Sequence, residues 1–368
     1  MKKIAFVGNT AFSLYNFRLG VMKSFLADYK VSAIAPYDSY SPLLEKEGIH
    51  FLSIDIDRKG KNPIHDINFI IGLYRIYKKE NFDFIFHYTI KPVIYGSLVS
   101  SFLKINSIAI TTGLGSTFSS RNLTNRIVCA LYKVALRQVS KVWFLNNEDE
   151  NTFIDNGIIE CNKCFVLPSE GVDMNYFHPM KDTEHNGFSF LLSSRLLKEK
   201  GIKEFAGAAQ IIKQNHHECD FILLGDIEEN NNEYITKTDI EYWVKSGIII
   251  YKGITSDVRP YIAESDCIVL PSYYREGIPR CLLEAMSMAK PIITTRNVGC
   301  ENLVGDGING FLCNKKSISD LAEKMEKMIT LSPEQRKEMG LKGLSMVKNK
   351  YSENQIINIY QEAIKDGI

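Results

Sequence analysis

The chain has 368 residues, 44 Lys plus Arg against 43 Asp plus Glu and a formal net charge of +1, so the total gives no sign of a nucleic-acid partner. At roughly 100 to 200 residues per domain the length suggests two domains, and 45% hydrophobic with 24% charged residues is a globular composition with room for a sizeable core. Eight scattered cysteines exclude a disulfide scaffold; most lie in apolar runs such as Asp266 to Leu270, where a free thiol acts as a small hydrophobe, and a cytoplasmic location is expected.

Short apolar runs alternate with helical patterns throughout, as parallel sheets with crossover helices require. Met1 to Gly8 carries two lysines after Met1, but its apolar run, Ile4 to Val7, is shorter than the roughly 7 to 15 residues of a signal peptide, and 3–7 reads as a first strand. Further strands are expected at 30–35, 50–54, 83–88, 106–111, 141–145 and 164–167. The weakly polar stretch Pro92 to Leu103 falls short of the roughly 18 apolar residues that span a bilayer, so no membrane span is expected. A polar linker at 178–187 separates a second set of strands at 188–193, 220–224, 248–251, 266–270, 291–294 and 311–313. Ser332 with Pro333 and Gln335 forms a helix start. A last helix begins near Ser352, with Ile356, Ile357, Tyr360, Ala363 and Ile364 on one face. The division is into an α/β domain at 1–180, a similar one at 181–350, and a helix at 351–368 that packs back on the first domain.

Chemistry concentrates between Leu270 and Met286. A strand ends at Leu270, and Pro279 sits where a helix takes its first residue, leaving the Gly277 and Ile278 amides free at a positive helix end. Glu276 and Glu284 supply two carboxylates suited to sugar or ribose hydroxyls; the plainer alternative is a dipole-complementing Glu276 and a solvated Glu284. After the first strand of the second domain, Ser194-Arg195-Leu196-Leu197-Lys198-Glu199-Lys200-Gly201 places cations where an open α/β sheet binds ligands, or where Arg195 and Lys200 simply pair with Glu199.

The stretch Glu276-Gly277-Ile278-Pro279 followed by Glu284-Ala285-Met286 resembles the Glu, seven residues, Glu signature of glycosyltransferase family 4, which implies the GT-B fold of two Rossmann-like domains facing a central cleft. By that resemblance Glu276 contacts the transferred sugar, Glu284 the ribose, and Arg195 with Lys200 the diphosphate of a nucleotide-sugar donor. Gly253, in Tyr251-Lys252-Gly253, falls where family members hold the nucleobase. Gly171 to Pro179, Leu224-Gly225-Asp226, Gly299-Cys300-Glu301 and Asp306 to Phe311 follow the family's order as well.

The first domain departs from the pattern. Many members carry a His after a central strand, but the matching stretch here is Thr111-Thr112-Gly113-Leu114-Gly115-Ser116, whose Gly113 and Gly115 would let backbone amides approach a phosphate or sugar. His87 is the nearest substitute for a catalytic or orienting imidazole, or else a hydrogen-bonded residue at a strand end. His87 to Pro92, including Lys91, together with the Gly113 loop resembles a subset that builds bacterial surface polysaccharides by transferring N-acetylhexosamines or related sugars to undecaprenyl-diphosphate-linked acceptors. Gly8-Asn9-Thr10 matches the family's Gly-containing loop near the reaction centre. Other candidates carry less: Cys161 and Cys164 have no second ligand pair, His216-His217-Glu218 reads as a solvated loop, and Asp55-Ile56-Asp57 as a strand end.

Charge is distributed unevenly. Phe84 to Asn147 spans 64 residues with no acid where the chain average predicts about seven, while holding Lys91, Lys104, Arg121, Arg126, Lys133, Arg137 and Lys141. The helical part, Asn122 to Val139, lies against anionic lipid or is a core helix with a solvated basic face. The expected function is a retaining, metal-independent, cofactor-free transferase that moves a sugar from a UDP-sugar to a lipid-linked glycan at the cytoplasmic face of the inner membrane. A nucleotide-sugar epimerase and a non-catalytic nucleotide-sugar-binding subunit are the alternatives.

Overall fold

Thirteen strands form two wholly parallel sheets in the computed structural model, which describes residues 1–57, 63–114, 123–180, 187–228 and 231–367. The first holds β1 (Lys2–Val7), β2 (Tyr29–Ala35), β3 (His50–Ser53), β4 (Phe84–Tyr88), β5 (Asn106–Ile110), β6 (Lys141–Phe144) and β7 (Cys164–Val166), in the order β3-β2-β1-β4-β5-β6-β7. The second holds β8 (Ser189–Ser193), β9 (Asp220–Leu224), β10 (Ile250–Gly253), β11 (Cys267–Leu270), β12 (Ile292–Thr295) and β13 (Gly310–Cys313), in the order β10-β9-β8-β11-β12-β13. Helices cover both faces of such sheets, so central strands must be apolar on both sides, and Ile4 to Val7 and Cys267 to Leu270 are buried without interruption. The expected strands are all present, each end within two residues of its expected place.

Strand order reverses at β1/β4 in the first sheet and at β8/β11 in the second. At such a point the neighbouring loops diverge to opposite faces, leaving a crevice at the carboxyl ends of the strands where ligands bind.

Packing divides the chain into one unit of Met1–Gly171 with Glu353–Ile368 and a second of Val172–Ser352. Residues 172–180, read above as the end of the first domain, therefore join the second. Val172 and Phe177 are buried there among Leu191, Met286 and Leu303, and the Phe177 carbonyl accepts a hydrogen bond from the Ser287 hydroxyl. Residues 181–186 of the expected linker lie outside the described residues.

The helix Glu353–Gly367 closes the first unit's core. Tyr360 packs with its ring centroid 5.0 Å from Phe86 and 4.8 Å, edge-on, from Trp143, and its hydroxyl accepts from Tyr88 at 3.0 Å. The helix Pro333–Met346 starts as expected: Ser332 Oγ accepts from the Gln335 amide, and Gln335 Oε1 accepts from the Ser332 amide at 2.9 Å. Among the described residues no helix is long and apolar enough to cross a membrane.

Candidate active site

The second sheet brings the main candidates together at its switch point. Arg195 and Lys200 follow β8, Glu276 to Ile278 follow β11, and these two strands are neighbours. The Glu199 carbonyl accepts from the amides of Tyr273 (2.8 Å) and Tyr274 (3.0 Å), joining the two loops through backbone. Gly201, at φ 78°, lies so close to the Pro271 carbonyl that any Cβ would collide with it, so only glycine allows the approach. Lys200 Nζ then pairs with Glu276 Oε1, and both side chains are almost fully buried.

A buried ion pair is costly unless its remaining valences are met, and breaking one typically costs about 3–5 kcal/mol. Ser272, fully buried, meets one of them by donating to Glu276 Oε1 at 2.9 Å while accepting from the Tyr274 amide at 3.2 Å. The Ser272 carbonyl accepts in turn from the hydroxyl of Thr295 and from the side-chain Nδ2 of Asn297. Lys200 Nζ also lies 5.5 Å from the centroid of the Tyr274 ring. Sequence reasoning missed Ser272, Thr295 and Asn297; the signal available was a Ser placed four residues before Glu276.

The following helix spans Arg280–Ser287, so Pro279 occupies the N-cap position and not the first helical one. The Gly277 and Ile278 amides make no hydrogen bond to the described residues. Gly299, at φ 77°, packs its backbone on the Gly277 carbonyl and fixes the loop from behind. Glu284 lies one turn into the helix, its Oε1 accepting from Arg280 Nε at 3.0 Å. Burial pushes its carboxyl above the ordinary range against the opposing pull of the Arg280 charge.

Arg195 is exposed, and its charge opposes the upward shift that burial gives the nearby Tyr234 hydroxyl. Gly253, at φ 70°, ends β10 and its carbonyl accepts from the Gly225 amide at 2.9 Å, while Tyr251 donates to the Gly225 carbonyl at 2.7 Å. Gly225, just beyond β9, and Gly253, the last residue of β10, stand at the carboxyl ends of the second sheet.

In the first unit the switch point lies between β1 and β4. Gly8 follows β1, its amide donating to the Ile34 carbonyl at 3.0 Å, and Thr10 caps the helix Ala11–Ser24 by accepting from the Ser13 amide. Beyond β4, Thr89 has φ 68°, a strained value for a β-branched residue, and its hydroxyl is buried with no partner among the described residues. Lys91 is tied to Asp66 at 2.6 Å, whose second oxygen accepts from Tyr95 at 2.7 Å. Gly113, at φ 113°, follows β5, whereas Gly115 lies outside the described residues.

His87 is corrected by the structure. It lies within β4, fully buried, with Nε2 3.0 Å from the Tyr77 hydroxyl and 3.4 Å from that of Ser100. Gly96 packs so tightly on the ring that a Cβ there would overlap it. Desolvation lowers its pKa to about 3. This is the strand-end alternative, a hydrogen-bonded core residue, and not an imidazole open to substrate.

The helix expected from Asn122 spans Leu123–Ala135 and continues as a tight turn to Gln138. Tyr132, Ala135 and Leu136 bury one face in the first unit's core, while Arg126, Ile127, Ala130, Lys133, Val134 and Arg137 share the exposed one.

Comparison with known proteins gives these sites a context. Residues 3–146 match the family model described as glycosyl transferase 4-like, and residues 178–345 that of glycosyl transferases group 1. Over 99% of its length the chain is 28% identical to the whole of the N,N'-diacetylbacillosaminyl-diphospho-undecaprenol alpha-1,3-N-acetylgalactosaminyltransferase of Campylobacter jejuni. Over 77% of each chain it is 27% identical to the Escherichia coli UDP-Gal:alpha-D-GlcNAc-diphosphoundecaprenol alpha-1,3-galactosyltransferase. Among solved structures, a glycosyltransferase of Rickettsia africae superposes with TM-score 0.83 at 20% identity, covering 100% of this chain and 98% of the other. The Anabaena HepE protein in complex with UDP does so with TM-score 0.82 at 18% identity, over the full length of both.

Proposed function

The chain belongs to the glycosyltransferases built from a 4-like and a group 1 region on the GT-B fold, and on that premise we propose that it moves a hexose or N-acetylhexosamine from a UDP-sugar to an undecaprenyl-diphosphate-linked glycan during surface-polysaccharide assembly. The observation that carries this reading is the buried Lys200–Glu276 pair, backed by Ser272, at the β8/β11 switch point. The names of the Campylobacter and Escherichia relatives favour the lipid-diphosphate acceptor, and the UDP complex of HepE favours the donor.

In this reading Arg195 and Lys200 meet the diphosphate and the free Gly277 and Ile278 amides add donors. Glu276 takes hydroxyls of the sugar, Glu284 those of the ribose, and the backbone at Gly253 the base. As the bond from the anomeric carbon to the phosphate oxygen breaks, negative charge grows on the diphosphate. Each charge-assisted hydrogen bond there is worth about 1.5–3 kcal/mol. The acceptor hydroxyl forms its new bond on the leaving group's face, so configuration is retained, and its proton passes to the phosphate oxygen. That route needs neither a protein base nor a metal, and the burial of His87 is no obstacle to it.

Membrane contact at the cytoplasmic face of the inner membrane is part of the proposal. The exposed face of Leu123–Ala135 interleaves cations with Ile127 and Val134. A groove of about 320 Å³ between Pro63–Glu80 and Ser97–Phe102 is lined by Ile70, Ile71, Tyr74, Leu98, Val99 and Phe102. Phe102 is 76% exposed.

The test is incubation with a panel of UDP-sugars and undecaprenyl-diphosphate-linked glycans, with and without EDTA. A glycolipid product that survives EDTA is expected; an altered free sugar nucleotide would mean epimerisation, and loss in EDTA would end the metal-free mechanism. Glu284→Ala is expected to weaken UDP binding at least tenfold by calorimetry, and unchanged affinity would remove its ribose role.

A further inference from the structure

Four aromatic residues gather at the carboxyl ends of β1 and β2. Phe12 stands at the start of the helix Ala11–Ser24, just beyond the Gly8 loop, and is 44% exposed. Tyr40 precedes the helix Ser41–Lys46, and its ring stands at 84° to that of Phe12 with centroids 5.0 Å apart. Phe17 meets Phe12 at 90° and 6.1 Å, and Tyr15 lies 5.6 Å from Tyr40.

The cluster is held by a single carboxylate. Asp38 Oδ2 accepts from the Phe12 amide at 3.0 Å and Oδ1 from the Tyr40 amide at 2.8 Å, so the loops after β1 and β2 are clamped together. The Asp38 backbone is fixed as well, its amide donating to Ser41 Oγ and its carbonyl accepting from the Ser41 amide, each at 3.0 Å. Asp38 also satisfies one of the unpaired amides at the amino end of Ala11–Ser24 and complements its dipole. Phe12 thus keeps 44% of its surface exposed while its ring packs at steep angles on Phe17 and Tyr40.

We propose that Phe12, set by Tyr40 and Asp38, is a stacking platform for a pyranose ring of the acceptor glycan. A sugar ring is amphipathic: its axial C–H bonds form an apolar, slightly positive face that matches the negative face of an aromatic ring, while its hydroxyls stay in water. Ligands of an open parallel sheet approach the carboxyl ends of the strands beside the switch point, and β1 is one of the two strands of that point. Polar groups accompany the ring, as the hydroxyls of a sugar require: Asn16 Nδ2 donates to the Phe12 carbonyl at 3.0 Å, and Asn9 and Ser39 stand near Phe12 and Tyr40 in the chain. The glycan as occupant rests on the transferase reading above.

The experiment pairs kinetics with direct binding. Phe12→Ala and Phe12→Leu are each expected to raise the acceptor KM at least tenfold with little change in kcat or in the KM for the donor, and Phe12→Trp to restore the wild-type KM. Asp38→Asn, which leaves shape but removes the charge that clamps both amides, is expected to raise the acceptor KM by a smaller factor. Independently of any turnover, saturation-transfer NMR with a methyl α-glycoside of N-acetylglucosamine or N-acetylgalactosamine is expected to show contact from the C–H face with wild type and none with Phe12→Ala. Wild-type acceptor KM in Phe12→Leu, or undiminished NMR contact in Phe12→Ala, would overturn the platform. Absence of transfer by wild type to any lipid-linked glycan, with the NMR contact intact, would overturn the transferase reading and leave a sugar-binding platform standing.

Discussion

Burial disfavours the charged form of His87: its ring is fully covered, and among the described residues Tyr77, Ser97 and Ser100 supply hydroxyls while Gly96 closes against it. Its pKa falls from 6.5 to about 3, so the unfolded chain takes up a proton that the native one refuses. Stability from this group is complete above about pH 6.5 and is lost as pH falls toward 3, at about 1.4 kcal/mol per unit. Urea unfolding of wild type should therefore lose about 2 kcal/mol between pH 6.5 and pH 5 through His87. His87→Gln, which cannot titrate, should show a slope shallower by that amount over the same interval. Equal slopes would place the acid sensitivity elsewhere. The same residue shows what a sequence leaves out. On a parallel strand covered on both faces there is no polar and apolar alternation, so which side chain enters the core and which reaches a ligand is unreadable. Glu276 and Glu284 were legible because a strand end, a Gly, a Pro and a helix fix their surroundings locally. Ser272 was not, because beyond Glu276 and Tyr274 its partners are Glu199, Thr295 and Asn297, 23 to 73 residues away in the chain.

Elements were more legible than single contacts, since each strand is a short, buried apolar run bounded by turn residues. The helix Leu123–Ala135 illustrates where that reading stops: its periodicity shows two faces, Tyr132 inside and Ile127 with the cations outside, but not what the outer face meets. A basic face contributes about 1 kcal/mol per Lys or Arg on anionic lipid. Replacing Arg126 and Lys133 with Gln should then weaken partitioning onto phosphatidylglycerol vesicles by about 2 kcal/mol, roughly 30-fold, with the difference shrinking as salt rises. Phe102→Ser should weaken binding to neutral and anionic vesicles alike. Sedimentation of both variants with each vesicle type checks this, and unchanged partitioning of the charge variant would rule out that face as the docking surface.

At the scale of the whole molecule the chain does not divide at one point. It leaves the first unit between Gly171 and Val172 and returns between Ser352 and Glu353, where the Val172 amide donates to the Tyr351 carbonyl at 3.1 Å and Gly171, at φ 83°, packs against the Glu353 backbone. The return is visible in sequence as an amphipathic helix without a local partner, but its site is not, because Phe86, Tyr88 and Trp143 are some 200 to 270 residues earlier. Completing the first core from the far end of the chain makes that unit depend on residues the second does not use. Tyr360→Ala should therefore remove about 3–5 kcal/mol from the first unit alone. In a unit of this size that is a fall of roughly 10 °C in its melting temperature. Calorimetry should show one transition moving down while another holds its position, and saturating UDP should shift only the second if its contacts are those proposed. A single transition that moves as a whole would mean that the two units unfold as one.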